Sequence, residues 1–407
     1  MTATTPKGYD IIVVGAGLIG LSLAALLASR SSFSIAVVER SERLTANKYP
    51  NQRVVALGKV ATDILRELNI FEQLGSAFCH PYTRMHVWDE NSNGELIFDA
   101  GDHGQEILGH MIDGTQTNLY LQEYIDAQPQ IDTYYAFQSE SLTHQADRVC
   151  LTAVTEQGNS IDLSSALVVA ADGARSWVRQ QAKIFANHHQ YQQQGIIARI
   201  SCELEHQDTA WQRFLHTGPV AVLPIADDKQ GPNQASIVWS ADNQRAEELM
   251  SLDQLAFAEE LSKALQGRLG EIRLLSEHRA FPLMSQQAER YYARNIVLVG
   301  DAAHSIHPLA GQGANLGFKD IQALLALLSE TTSADLKSAK VASLNLLERY
   351  QAQRRSDNIQ TDRMMSALYM AYQNNSPWWK LARGAGMNLL NNSKPIKNML
   401  AKQAIGL

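Results

Sequence analysis

Tyr9 to Val14 is a short run of apolar, mostly β-branched residues that stops at Gly15, the pattern of a strand buried on both faces of a parallel sheet. Leu18 to Arg30 has helical character and Ile35 to Glu39 is a second apolar run, so residues 9–40 predict one strand–helix–strand unit. Two alternating runs, Met85–Asp89 and Glu95–Phe98, flank Asn91-Ser92-Asn93-Gly94 and predict a β-hairpin. Such a hairpin does not continue a doubly wound sheet, so it is assigned to another one. Residues 149–171 alternate like antiparallel strands and end in the wholly apolar Ala166–Ala171, a return to a buried central strand. Strand-like runs continue from Gly195 to about Phe281, including Ala221–Pro224 and Ser236–Trp239, with one helix near 253–266. Asn295–Val299 predicts another buried strand and Asn315–Leu328 a helix, and everything after about residue 334 reads as helical.

The pattern implies an α/β fold in which a dinucleotide-binding domain is assembled from three separated pieces around a mostly β insertion, with a helical tail. Its pieces are residues 1–80, 106–180 and 285–333; the insertion takes 81–105 and 181–284, and the C-terminal region 334–407. Composition agrees with a folded chain: 407 residues, 45% hydrophobic and 19% charged. The formal charge of −7 comes without a basic cluster, which argues against a nucleic-acid partner. Cys79, Cys150 and Cys202 are widely spaced, with no Cys-x-x-Cys pair for zinc or an iron–sulfur cluster, and are expected to be buried free thiols in a reducing compartment. The apolar stretch from Ile11 runs straight into a glycine turn and does not read as a signal peptide. No window reaches the roughly 18 to 20 apolar residues of a membrane-spanning helix, so a cytoplasmic chain is expected.

Three segments carry the chemistry. In Gly15-Ala16-Gly17-Leu18-Ile19-Gly20, the first glycine permits a tight turn, the second lets a pyrophosphate approach the backbone, and the third packs the helix on the strand. The helix start offers unpaired N–H groups and a partial positive charge to phosphates. Glu39, followed by Arg40, puts a carboxylate at a strand end where it can hold a ribose diol, which disfavours a 2′-phosphate there; the pattern alone does not separate NAD from FAD. The second segment is Asp172-Gly173-Ala174-Arg175-Ser176, a tight turn at the carboxyl end of a buried strand, where such sheets bind ligands. The third runs from Asn295 through Gly300-Asp301 and His304 to His307-Pro308 and Gly311-Gln312-Gly313-Ala314-Asn315. Asp301 is suited to accept hydrogen bonds from polyol hydroxyls, and the small residues after Pro308 let backbone N–H groups approach a flat polar ring edge. A helix beginning beyond Gly313 would stabilise negative charge on that ring. His304 and His307 are candidate acids or bases, but a histidine at a strand-to-helix turn more often serves as a structural hydrogen-bonder. Without a third ligand nearby in sequence no metal site is expected.

Together, Gly15-x-Gly17-x-x-Gly20, Asp172-Gly173 and Gly300-Asp301 resemble the three fingerprints of FAD-dependent aromatic hydroxylases of the para-hydroxybenzoate hydroxylase type. The stretch from Gly300 to Phe318, with Arg53–Leu57, Met85–Asp89, Leu108–His110, Ser236–Ser240, Ala280–Leu283 and the tail 392–406, is similar to the ubiquinone-biosynthesis hydroxylases. The resemblance implies a Rossmann-like FAD-binding domain and an inserted substrate domain. It implies Glu39 at the adenosine ribose, Arg53 at the pyrophosphate, Asp301 at the ribitol and the Gly311–Asn315 backbone at the isoalloxazine. Asp172 and Arg175 would lie beside the pyrophosphate and engage NADH or NADPH, and His304, His307 and Pro308 would stand near the flavin; no catalytic side chain is assigned. The implied reaction uses NAD(P)H and O₂ to hydroxylate the ring of a polyprenylated phenol, as 2-octaprenylphenol hydroxylases do at C5. Other readings are another ring position or substrate, a prenyl-chain reductase, and a non-catalytic flavoprotein scaffold. Met364, Met365, Leu368, Tyr369, Tyr372 and Trp378-Trp379-Lys380 either pack on the flavin domain or contact a membrane surface or a biosynthetic complex.

Overall fold

A computed structural model of the chain describes residues 6–45, 53–90, 92–145, 147–228, 232–307, 311–330, 344–373 and 376–392. Strand Lys7–Val14 lies in the middle of a parallel array, paired with Ser160–Ala170 on one side and Ile35–Val38 on the other. Ile296–Leu298 and Ile131–Tyr134 extend the array outward in the same direction. Ile11, Ile12 and Val13 are completely buried, as continuous apolar runs require when both sheet faces are covered. Helix Leu18–Arg30 is buried along most of its length because helices Gly114–Asp126 and Gly313–Leu328 pack against it. The first half of the long strand Ser160–Ala170 turns away to pair antiparallel with Arg148–Val154, which in turn pairs with Gln138–Gln145.

The second sheet has nine strands and contains the expected hairpin, Arg84–Asp89 with Glu95–Asp99; Asn91 of its turn lies outside the described residues. Its frame is the 17-residue strand Ala186–Cys202, flanked by Gln234–Asp242 and Arg279–Ala288. Thus the mixed α/β architecture, with a β-rich insertion and C-terminal helices, is the one the hydrophobic pattern predicts. Two helices, not one, cover residues 243–264: Gln254–Ala264 and a shorter Asn243–Met250. Each begins at an aspartate, Asp242 accepting from Arg245 N at 2.9 Å and Asp253 from Ala256 N at 2.8 Å, so the earlier cap was the overlooked signal. A three-stranded sheet of Val54–Leu57, Gly109–Asp113 and Cys79–Tyr82 sits beside the two larger ones.

Helices Leu344–Gln373 and Pro377–Asn392 bear out the helical reading of the tail; residues 331–343 and 393–407 lie outside the described residues. Met365 and Met387 are buried with Val87, Phe214, Ile306 and Leu316, and Met364 packs on the same cluster. The last helix also covers an edge strand: Asn388 and Asn391 side-chain oxygens accept from Glu95 N at 3.3 Å and Ile97 N at 3.1 Å. Much of the tail is therefore structural, although Met370, Trp378 and Leu389 stay exposed. The side chains of Leu368, Tyr369, Tyr372, Trp379 and Lys380 lie outside the described residues. Among the described residues no helix is long and apolar enough to cross a membrane. The three cysteines are free, Cys202 buried and the other two partly so, and burial pushes the Cys79 and Cys202 thiols up to about 12.

Candidate active site

The strand Lys7–Val14 ends at Gly15, whose φ is +107° and whose missing Cβ would lie 2.4 Å from the carbonyl oxygen of Ala171. A Cβ on Gly20 would come within 2.0 Å of Gly15 O, so both positions exclude a side chain. Gly17 differs, because nothing lies within 4 Å of its missing Cβ and no side chain caps the helix it begins. The first N–H groups of that helix therefore open onto a cavity lined by Gly17, Leu18 and Ile19. Glu39 stands beside the turn, accepting from Ala16 N at 2.7 Å and Ser41 N at 2.8 Å; Arg40 is exposed and outside the cavity lining.

The other two turns meet the first at the carboxyl edge of the parallel strands. Asp172 accepts from Val178 N at 3.1 Å, and burial holds its carboxyl above the usual range. Arg175 is exposed, whereas Arg179, overlooked in the motif, is buried and donates to Ala302 O at 2.8 Å and Ala174 O at 3.1 Å. Arg179 thus latches the second turn to the third. Asp301 faces the cavity, and its carboxylate accepts no hydrogen bond from the described residues. Its side chain is open to the cavity, and desolvation by the protein around it raises its pKa, against the opposing pull of His304 and Arg53. Arg53 lines the same cavity.

Behind Asp301 is a buried charge network that the motifs did not reveal. Asp320 accepts from Gly300 N at 2.9 Å, from His304 Nε2 at 2.6 Å and from Arg354 Nε at 2.8 Å. Burial alone would raise the Asp320 carboxyl, but His304 and then Arg354 hold it below the usual carboxylate range. His304 is therefore a clamp on the Gly300-Asp301 turn and does not line the cavity. His307 is buried, its Nε2 3.2 Å from Gln193 Oε1 and its ring edge-on to Tyr191; burial lowers its pKa to about 4, so it is neutral near pH 7. Pro308 lies outside the described residues. Gly311, Gly313 and Ala314 line the cavity at the start of helix Gly313–Leu328, which no side chain caps. Gln312 is buried, and the Asn315 side chain is committed to Gly58 N at 2.8 Å and Ala56 O at 3.0 Å, which leaves only the Asn315 backbone for a ligand.

The cavity holds about 690 Å³ and its far wall is one face of the nine-stranded sheet. Ile197, Val238, Ala221 and Gln212 form a row across four paired strands, with Ser236 and Leu223 beside it. Val54, Tyr82, Met85, Met111 and Phe281 complete an apolar enclosure. The stretches around Arg53, Met85, Ser236 and Phe281, far apart in the chain, thus meet on one surface.

Two uncapped helix starts facing one cavity, with a carboxylate free to take polyol hydroxyls between them, suit a long dinucleotide whose pyrophosphate sits at one end and whose flat ring sits at the other. This defines a flavoprotein of the FAD-binding class. The chain belongs to the FAD binding domain family, whose sequence profile matches residues 8–361. It is 33% identical over 405 residues to 3-demethoxyubiquinol 3-hydroxylase of Escherichia coli, covering 99% of this chain and 100% of that protein. It is 28% identical over 439 residues to the mitochondrial ubiquinone biosynthesis monooxygenase COQ6 of Caenorhabditis elegans, covering 96% and 94%. The fold matches p-nitrophenol 4-monooxygenase of Pseudomonas putida with a TM-score of 0.77 at 17% identity, over 98% of this chain and 99% of that one. The protein is an FAD-dependent NAD(P)H aromatic monooxygenase related to the ubiquinone-biosynthesis hydroxylases.

The glycine geometry separates folding from binding. Gly20→Ala forces a Cβ into the Gly15 carbonyl and is expected to prevent accumulation of folded protein. Gly17→Ala fits the fold but places a methyl where the pyrophosphate approaches, and should weaken FAD retention by about tenfold or more, roughly 1.4 kcal/mol, at unchanged melting temperature. Flavin content after dialysis, read beside a thermal melt, checks both.

Proposed function

We propose that the protein hydroxylates the aromatic ring of a polyprenylated phenol intermediate of ubiquinone biosynthesis. The observation that carries this reading is the single cavity that joins the glycine turn and the Gly313 helix start to an apolar sheet face. That wall suits an apolar ring with a hydrocarbon chain, and its few polar groups, among them Gln212 and Ser236, can orient a phenol. In this reading Glu39 holds the adenosine ribose, Arg53 the pyrophosphate and Asp301 the ribityl hydroxyls, while the backbone from Gly311 to Asn315 lies along the ring. Arg175, exposed beside the Asp172 turn, meets the reductant from solvent in this reading. FAD, when bound, supplies the chemistry: NAD(P)H, O₂, a proton and the phenol become NAD(P)⁺, water and the hydroxylated ring. The chain's own part is to bind, orient and keep water out. Neutral His307 does not serve as a general acid near pH 7.

The motif resemblance favours ring C5. A second reading, hydroxylation at position 3, is favoured by the similarity to 3-demethoxyubiquinol 3-hydroxylase. Mass spectrometry of the intermediate that accumulates when the protein is missing decides between them: a polyprenylphenol supports C5, and a demethoxyubiquinone supports position 3. Oxygen consumption by the purified protein, stoichiometric with hydroxylated product, separates hydroxylation from prenyl-chain reduction and from a scaffold without turnover.

The exposed Trp378 and Leu389 support contact of the last helix with a membrane surface. Changing both to serine is expected to lower partition onto liposomes at least about tenfold at unchanged flavin content, since burial of even one large apolar side chain contributes roughly 1.5–3 kcal/mol. Unchanged partition removes the idea.

A further inference from the structure

Apart from the cavity, the described residues contain one cluster with the composition of a transition-metal site. His80 lies in strand Cys79–Tyr82, and His206 and Asp208 lie in the turn that leads into strand Thr209–Leu215. One ligand atom from each of the three falls within 4.8 Å of the others. His80 Nε2 is 2.8 Å from Asp208 Oδ1, and the two imidazole rings meet edge-on with centroids 5.2 Å apart. His206 Nδ1 directs its lone pair at Asp208, where it accepts from the backbone N–H at 3.2 Å, a weak contact that a metal can replace.

The arrangement is held by backbone and does not depend on flexible side chains finding one another. Asp208 O accepts from Thr83 N at 2.9 Å and Arg84 N at 3.4 Å, the first rungs of the parallel pairing that continues as Thr209 with Arg84. The His206 carbonyl accepts from Thr209 N at 3.0 Å, closing the turn. The His206 ring is buried against His80. Asp227 and Glu205 add negative potential around that ring. His206 is buried while the Asp208 side chain is half exposed, which gives an ion a path in from solvent.

We propose that His80, His206 and Asp208 bind a divalent transition metal of the zinc type, with solvent completing its coordination. Two imidazole nitrogens and one carboxylate oxygen favour Zn²⁺ over Mg²⁺, which prefers an all-oxygen octahedron. Bond lengths of about 2.0–2.2 Å require donor spacings of roughly 3.3–3.5 Å. The present spacings reach those values by small side-chain rotations, with the ion inserted between His80 and Asp208. The ion would fasten two segments whose near neighbours line the cavity: Tyr82 two residues beyond His80, and Ala210 two residues beyond Asp208. A bound metal therefore stiffens the cavity wall at a distance from the flavin site.

The test uses the full-length flavoprotein, stripped with a chelator, desalted and titrated with ZnCl₂ by calorimetry, with MgCl₂ as control. The expected result is saturable uptake of one Zn²⁺ per chain, a raised melting temperature and no uptake of Mg²⁺. His80→Gln preserves a hydrogen bond to Asp208, and Asp208→Asn preserves the turn. Each should weaken Zn²⁺ binding at least about tenfold and abolish the thermal shift while flavin content stays that of the wild type. Zinc bound equally well by both variants, Mg²⁺ bound as tightly as Zn²⁺, or no saturable site in the wild type would overturn the proposal.

Discussion

Asp301→Ala is expected to yield a folded protein that has lost most of its FAD. Folding survives because the Asp301 carboxylate accepts no hydrogen bond from the described residues, and desolvation by the surrounding protein already disfavours its charge. The backbone around it stays in place, since Gln286 Nε2 donates to Asp301 O at 2.6 Å, a contact the substitution leaves intact. Flavin binding does not survive, because a charge-assisted hydrogen bond contributes about 1.5–3 kcal/mol, and losing one or two costs roughly 10- to 1,000-fold or more in affinity. Asp301→Asn keeps an acceptor without the charge and should fall between. The ratio of flavin absorbance to protein after gel filtration, together with circular dichroism, reads both effects. A fully flavinated Asp301→Ala protein would show that the polyol contact is elsewhere.

The second large effect is on stability. Asp320→Asn takes from the buried Arg354 its fully buried carboxylate partner and leaves the Gly300 turn without a charged anchor, and should cost about 3–5 kcal/mol in chemical unfolding. Arg354 keeps Asp357 at 2.7 Å and Asn358 at 2.8 Å, which limits the loss. The pH dependence follows from the direction of the shift. Because the Asp320 pKa is lowered on folding, its stabilisation is present above the unfolded carboxyl value of about 3.9 and is lost as pH falls through the folded value. In urea melts, the stability difference between wild type and Asp320→Asn should be full at neutral pH and shrink in acid. A constant difference across that range would mean that Asp320 acts by packing and not by charge.

The strand–glycine–helix unit at residues 9–40 was legible because every constraint in it is local: an apolar run, three glycines at fixed offsets and a carboxylate at the next strand end. The Asp172 and Gly300-Asp301 turns were legible for the same reason. Arg179 was passed over for Arg175, since both arginines follow the same turn and only packing decides which one is buried. Arg354 precedes Arg355 in a charged helix and reads as part of a solvated face; Asp320 lies on another helix, 34 residues away. Nothing in the spacing joins them. The tail shows the same limit, for the spacing of Met364 and Met365 suits packing and docking alike, and only the tertiary structure places them in a cluster with Val87 and Phe214.

What the sequence by itself determined is therefore the cofactor class and the hydrophobic division into a parallel and an antiparallel sheet, because backbone conformation and periodicity are properties of neighbouring residues. Tertiary structure alone decided which side chains form the cavity wall, which histidine clamps a turn and which stays neutral, and which three residues could hold a metal. Those depend on strand register and burial, where a cross-strand partner such as Ala221 for Gln212, or a desolvated partner such as Asp320 for His304, comes from a distant part of the chain. The glycine turn at residue 15 specifies a dinucleotide, its companions at Asp172 and Gly300-Asp301 narrow it to FAD, and the sheet opposite them forms the surface to which FAD can be presented.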